Sequence, residues 1–172
     1  PYSAEVALGL AVETPSAKLR RHALAVAEEV SMWSATALHR ISEILRVEAL
    51  SAEARRTAYA ILRQSDDPMA RNIALGRLLD SELSTAERAL AADALRHRME
   101  PGLVPVLLRT LARAEPQVRA AIETVLGRIT GADPAQVDWT RVRGGSVEVA
   151  LEAWDHWWAR HRDVPRHRWV RQ

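Results

Sequence analysis

Residues 116–129 read Pro116-Gln117-Val118-Arg119-Ala120-Ala121-Ile122-Glu123-Thr124-Val125-Leu126-Gly127-Arg128-Ile129. Apolar side chains fall at Val118, Ala121, Ile122, Val125, Leu126 and Ile129, the three-and-four spacing that gathers one face of an α-helix. The segment before it carries Leu103, Val104, Leu107, Leu108 and Leu111 at the same spacing. Pro101 and Pro116 stand where each helix would begin, and a missing N–H costs nothing there because the first turn has no intrahelical acceptor. Neither short helix can bury its stripe alone. The two must pack on each other and on whatever precedes them.

Working outward, the same design recurs. Leu19-Arg20-Arg21-His22-Ala23, Ala54-Arg55-Arg56-Thr57-Ala58, Glu87-Arg88-Ala89-Leu90-Ala91 and Val118-Arg119-Ala120-Ala121-Ile122 share an arginine followed by helix-forming, Ala-rich sequence. Their first arginines, Arg20, Arg55, Arg88 and Arg119, are spaced 35, 33 and 31 residues apart. An interval of that size matches two short helices and two turns, the unit of an α-solenoid. Pro15 and Pro68 mark further helix starts, Ser51, Ser84 and Ser146 are N-cap candidates, and Ser84 with Glu87 makes a capping box. Gly131 is a C-terminal stop. The punctuation predicts helices over 3–13, 15–30, 32–47, 51–64, 67–80, 84–98, 101–113, 116–130 and 146–162.

Composition agrees with an all-α chain. Alanine supplies 30 of the 172 residues and leucine 20, phenylalanine is absent, and the strand-favouring residues are sparse. No cysteine is present, which excludes disulfides, thiol nucleophiles and cysteine-based metal sites. No apolar run approaches the roughly 20 residues a membrane-spanning helix needs. A cytoplasmic setting is favoured, with an exported form left open because the sequence starts at Pro1 rather than Met.

Residues 101–131 resemble a HEAT repeat, whose second helix typically opens on a Pro-x-Val-Arg-x-Ala run, matched here by Pro116, Val118, Arg119 and Ala121. The third pair is looser, with Glu87 where valine is usual, and the first two match mainly in period and arginine placement. The resemblance covers roughly residues 3–131. It implies four antiparallel helix pairs stacked in a right-handed superhelix. The expected organisation is HEAT-like repeats over 1–131, an irregular linker over 132–145, a Trp-rich capping helix over 146–162 and a basic tail over 163–172, one structural domain in all.

The basic residues are 23 arginines and Lys18 against 22 acids, a formal net charge of +2. A coding preference for arginine explains this more economically than a phosphate-binding surface. In HEAT-like arrays the repeated arginine pairs with an acid of a neighbouring repeat. That resemblance points Arg20, Arg55, Arg88 and Arg119 toward Asp66, Asp67, Asp80 or Glu115. Arg21, Arg56, Arg63, Arg96 and Arg128 are the better partner-binding candidates, because the resemblance puts the second helices on the inner curve. Glu28, Glu29, Asp93 and Glu123 share those helices, so that surface is mixed in sign and unsuited to tracking phosphates.

Val147, Leu151, Trp154 and Trp158 share a face of the last helix, with Trp157 beside it. A solenoid needs such a cap, because its final repeat would otherwise expose an apolar wall. Trp139 is expected to pin the linker. No Gly-rich phosphate loop, Gly-x-Ser-x-Gly elbow or His-Glu-x-x-His motif occurs. HEAT-like enzymes exist, among them hydroxylases with repeated His-Glu pairs, but no His-Glu dipeptide is present. His39 and Glu43 are too few for a metal site, and His156 and His161 are off-face by five residues. The sequence therefore predicts a non-enzymatic protein-binding module or assembly subunit without cofactor or metal. The alternative is nucleic-acid or anionic-surface binding through the second-helix arginines and the tail, where Arg166, Arg168 and Arg171 flank Trp169.

The tail carries concentrated charge behind the helix-breaking Pro165. A chain ending at Asp163 is expected to unfold at the same denaturant midpoint as the full chain while losing affinity for an acidic partner. A large fall in the midpoint would make the tail part of the cap.

Overall fold

The computed structural model describes residues 35–48, 50–131 and 147–165. The regular elements among them are all helical: α1 (Ala35–Arg46), α2 (Ala52–Gln64), α3 (Pro68–Leu79), α4 (Thr85–Ala94), α5 (Val104–Leu111), α6 (Pro116–Thr130) and α7 (Val147–His161), with a 3₁₀ turn at Pro101–Leu103. The expected helices 3–13 and 15–30, with Arg20 and Arg21, lie outside the described residues. So do the linker 132–145 with Trp139 and the tail residues Arg166, Arg168, Trp169 and Arg171.

Local chemistry sets the helix ends. Ser51 Oγ accepts from the Ala54 N–H at 3.2 Å and Ser84 Oγ from the Glu87 N–H at 3.3 Å, each satisfying a first-turn donor. Pro68 and Pro116 open α3 and α6. Gly131 ends α6 at φ 68, the left-handed conformation that a residue without Cβ adopts freely. Two ends differ from expectation. The helix expected over 84–98 stops at Ala94, because the Leu95, Arg96 and Arg98 amides donate three residues back, to Ala92, Asp93 and Leu95. This tightened turn buries both Leu95 and Arg98. The helix expected over 101–113 begins as the 3₁₀ turn and ends at Leu111.

Two compact units divide the chain, Pro1–Arg77 and Leu78–Gln172. In the first, α1 packs on α2. Leu38, Ile41, Ile44 and Leu45 of α1 and Ala54, Ala58, Tyr59, Ile61 and Leu62 of α2 are buried. In the second, α6 packs on both α4 and α5, and α7 packs on α5. The α5 stripe read from the sequence, with Leu103 just before it, is buried throughout. On α6, Val118, Ile122, Val125, Leu126 and Ile129 are fully buried and Ala121 is half-buried. The buried face of α4 is built largely from alanine, namely Ala91, Ala92 and Ala94.

Trp154 of α7 is fully buried. Trp157 meets it edge-on at 5.9 Å between ring centroids and is half-buried, as is Trp158. The side chains of Val147 and Leu151, expected on the same face, lie outside the described set. Replacing Trp154 removes a large indole from a close-packed site. The Trp154→Ala chain is expected to lose about 3–5 kcal/mol in urea denaturation. A loss below about 1 kcal/mol would contradict this burial.

Candidate partner-binding site

Arg55 and Arg88 reach the ends of the preceding helices, and Arg119 the turn after one. An α-helix leaves its last carbonyls without intrahelical donors and its C-terminus partly negative. Arg55, in the first turns of α2, donates to the carbonyls of Leu45 at 3.3 Å, Val47 at 3.0 Å and Glu48 at 3.2 Å, at the end of α1. Arg77 Nη2 reaches the same Leu45 carbonyl at 2.8 Å. Arg88, at the matching place in α4, donates through Nε to the Leu78 carbonyl of α3 at 3.1 Å. Arg119 of α6 donates to the Ala114 carbonyl just beyond α5 at 3.0 Å.

The acid pairing expected for these arginines occurs at Arg88, whose Nη1 donates to both Glu115 oxygens at 3.0 and 2.9 Å. For Arg55 and Arg119 the described bonds go to backbone carbonyls. Asp67 accepts from the Met69 amide at 2.7 Å and Asp80 from the Glu82 amide at 3.0 Å, so both carboxylates serve turns.

The second-helix candidates are dispersed. Arg56 and Arg128 are exposed and Arg63 is half-buried. Arg96, in the turn that ends α4, lies 3.4 Å from Asp93 of that helix, with its Nε buried. Arg63 and Arg128 sit in the last turns of α2 and α6, where a positive charge complements the helix dipole. Glu123 of α6 is half-buried. Burial raises its carboxyl above the ordinary value, against the lowering effect of Arg119.

A different group converges in the second unit. A cleft of about 600 Å³ is lined by Leu79, Ser81, Arg88, Val106, Arg109, Thr110, Arg113 and Glu115. Arg109 lies in the last turn of α5 and Arg113 in the turn that follows it, and both are exposed. Glu115 is engaged by Arg88, whereas Arg109 and Arg113 have no carboxylate partner among the described residues. A second cleft of about 350 Å³ is lined by Pro105, Leu108, Arg109, Ala112, Asp155 and Trp158. Arg109 is common to both. None of the described second-helix candidates lines either cleft.

The described histidines do not assemble a site. His39 Nε2 is 3.5 Å from Glu43, but Arg40 donates to the same carboxylate at 2.7 Å. That hydrogen bond leads the effects that hold Glu43 below its ordinary value. His161 stacks on Trp157 at 4.3 Å, with Nδ1 2.7 Å from the Trp157 carbonyl. No cluster of metal-ligating side chains occurs among the described residues. None of the helices among those residues is long and apolar enough to cross a membrane.

No family model, curated protein or solved structure matches the chain.

The Arg88 guanidinium is largely buried while Glu115 is half exposed, with side-chain exposures of 12% and 46%. Removing Arg88 orphans a carbonyl as well as an ion pair. Arg88→Ala is expected to cost about 1–3 kcal/mol and Glu115→Ala less than about 1 kcal/mol, read from urea midpoints. Equal losses would assign the stabilisation to the ion pair alone.

Proposed function

We propose that the chain is a non-enzymatic interaction module or assembly subunit, built from HEAT-like helix pairs stacked as a solenoid with α7 as its cap. The observation that carries this reading is the recurring arginine at the start of α2, α4 and α6: Arg55 and Arg88 donate to carbonyls at the end of the preceding helix, and Arg119 to the Ala114 carbonyl in the turn that follows α5. A clamp repeated at a near-constant interval is the mark of a unit copied along a chain. Arrays of such units offer extended surfaces for partners. The clefts that meet at Arg109 supply a candidate contact area of mixed polar and apolar character, suited to a protein surface.

The alternative is nucleic-acid or anionic-surface binding through the tail and the second-helix arginines. The exposure of Arg56 and Arg128 favours it. Salt separates the two readings. Releasing counterions from several phosphates weakens binding by roughly a thousandfold or more between 50 and 200 mM salt. A partly apolar protein interface changes far less.

The full chain, immobilised and exposed to cell extract treated with nuclease, is expected to retain a defined protein partner at both salt concentrations, identified by mass spectrometry. Capture that vanishes with nuclease or with moderate salt, alongside tight oligonucleotide binding, would replace the protein-binding reading with the nucleic-acid one.

A further inference from the structure

We infer that the two clefts meeting at Arg109 form one recognition site for an acidic peptide segment in which an aliphatic side chain is flanked by carboxylates. The inference rests on the protein-binding reading above and names its partner chemistry. Three guanidinium groups line the larger cleft against one carboxylate, and that carboxylate is already held by both oxygens on Arg88. Arg109 and Arg113 remain, both exposed, the first in the last turn of α5 and the second in the turn after it. A guanidinium presents a planar fork of donors that matches a carboxylate in two parallel hydrogen bonds. Two such forks lining one cleft fit two acidic side chains of one extended segment.

The smaller cleft sets the register. Pro105, Leu108 and Trp158 give it apolar walls, and about 350 Å³ falls within the roughly 300–1,000 Å³ of sites that enclose small ligands. Asp155 at its edge repels a carboxylate, so the apolar side chain belongs there and the acids lie toward Arg109 and Arg113. The same Asp155 accepts from a peptide N–H. These carboxylates also weigh against a nucleic acid. Glu115 and Asp155 interrupt the positive surface in both clefts, where a strand of phosphates needs it continuous.

The test uses the full chain and a fluorescein-labelled peptide with the core Asp-Glu-Leu-Asp-Glu, followed by anisotropy at 150 mM salt. Arg109→Glu and Arg113→Glu are each expected to weaken binding at least about tenfold. Arg40→Glu, the same charge change at an exposed position of α1, is expected to stay within about twofold. Trp158→Ala should weaken the Leu-containing peptide and leave a Leu-to-Ser version unaffected, so that the two losses are not additive. Arg109→Gln and circular dichroism establish that lost binding is not lost folding. No binding by the wild-type chain, or equal effects of Arg40→Glu and Arg109→Glu, overturns the inference. So does displacement of the peptide by a twenty-residue oligothymidylate whose own affinity falls with Arg109→Glu. If the peptide fails while the immobilised chain still holds a protein partner in high salt, the peptide site falls and the module reading stands.

Discussion

The hydrogen bond from an arginine to the spent end of the preceding helix is the constraint on which this chain depends. Short helices are wasteful in backbone terms, because a large share of their carbonyls lie in terminal turns without donors. α1 and α3, whose ends Arg55 and Arg88 reach, have twelve residues each, so their last turns hold about a third of their carbonyls. One guanidinium answers this shortage of donors economically. Arg55 serves three carbonyls at once, because its fork spreads donors across the end of α1. Lysine offers a compact ammonium without that fork. Arg88 combines the clamp with an ion pair to Glu115, which stands just before α6, and so ties the start of α6 to the end of α3 within the second unit.

Much of the fold was legible because it rests on periodicity and punctuation. The stripes of α5 and α6 were visible as apolar spacing. The ends at Ser51, Ser84, Pro116 and Gly131 were visible because those residues have few other uses in an Ala-rich helix. The end of α4 was not visible, since Leu95 through Arg98 contains no helix breaker and the turn there is set by what becomes buried. The role of the repeated arginines was only half legible. Sequence displays candidate acids but not carbonyls at helix ends, so the expectation named only side chains, whereas Arg55, Arg88 and Arg119 all bond backbone.

The candidate site was missed for a related reason. Arg109 and Arg113 look like ordinary solvent-face charges of the helix expected over 101–113. Only the placement of Leu79, Ser81, Glu115 and Trp158 around them makes two adjoining clefts. The readable signal was their spacing of four, opposite an apolar stripe. That pattern is common on amphipathic helices and does not single out a site. The second-helix arginines looked more distinctive because they recur, yet Arg63 and Arg128 lie where a last-turn charge answers the helix dipole. Every described helix except α4 ends with a basic residue in its last turn. Much of the arginine content is therefore bound up with helix ends, in keeping with the small net charge.

The alanines of α4 have a consequence for how this molecule can vary. Ala91, Ala92 and Ala94 face a neighbour, α6, whose knobs are valine, isoleucine and leucine. Alanine loses no rotamer freedom on burial, so the seam is entropically inexpensive to close, but it offers no side chain able to swing aside. The two sides differ in latitude. Branched residues on α6 can exchange volume with one another, whereas a longer side chain at Ala91 meets a packed wall and separates the helices. Variation in this unit should accumulate on one side of the seam, with the other held small.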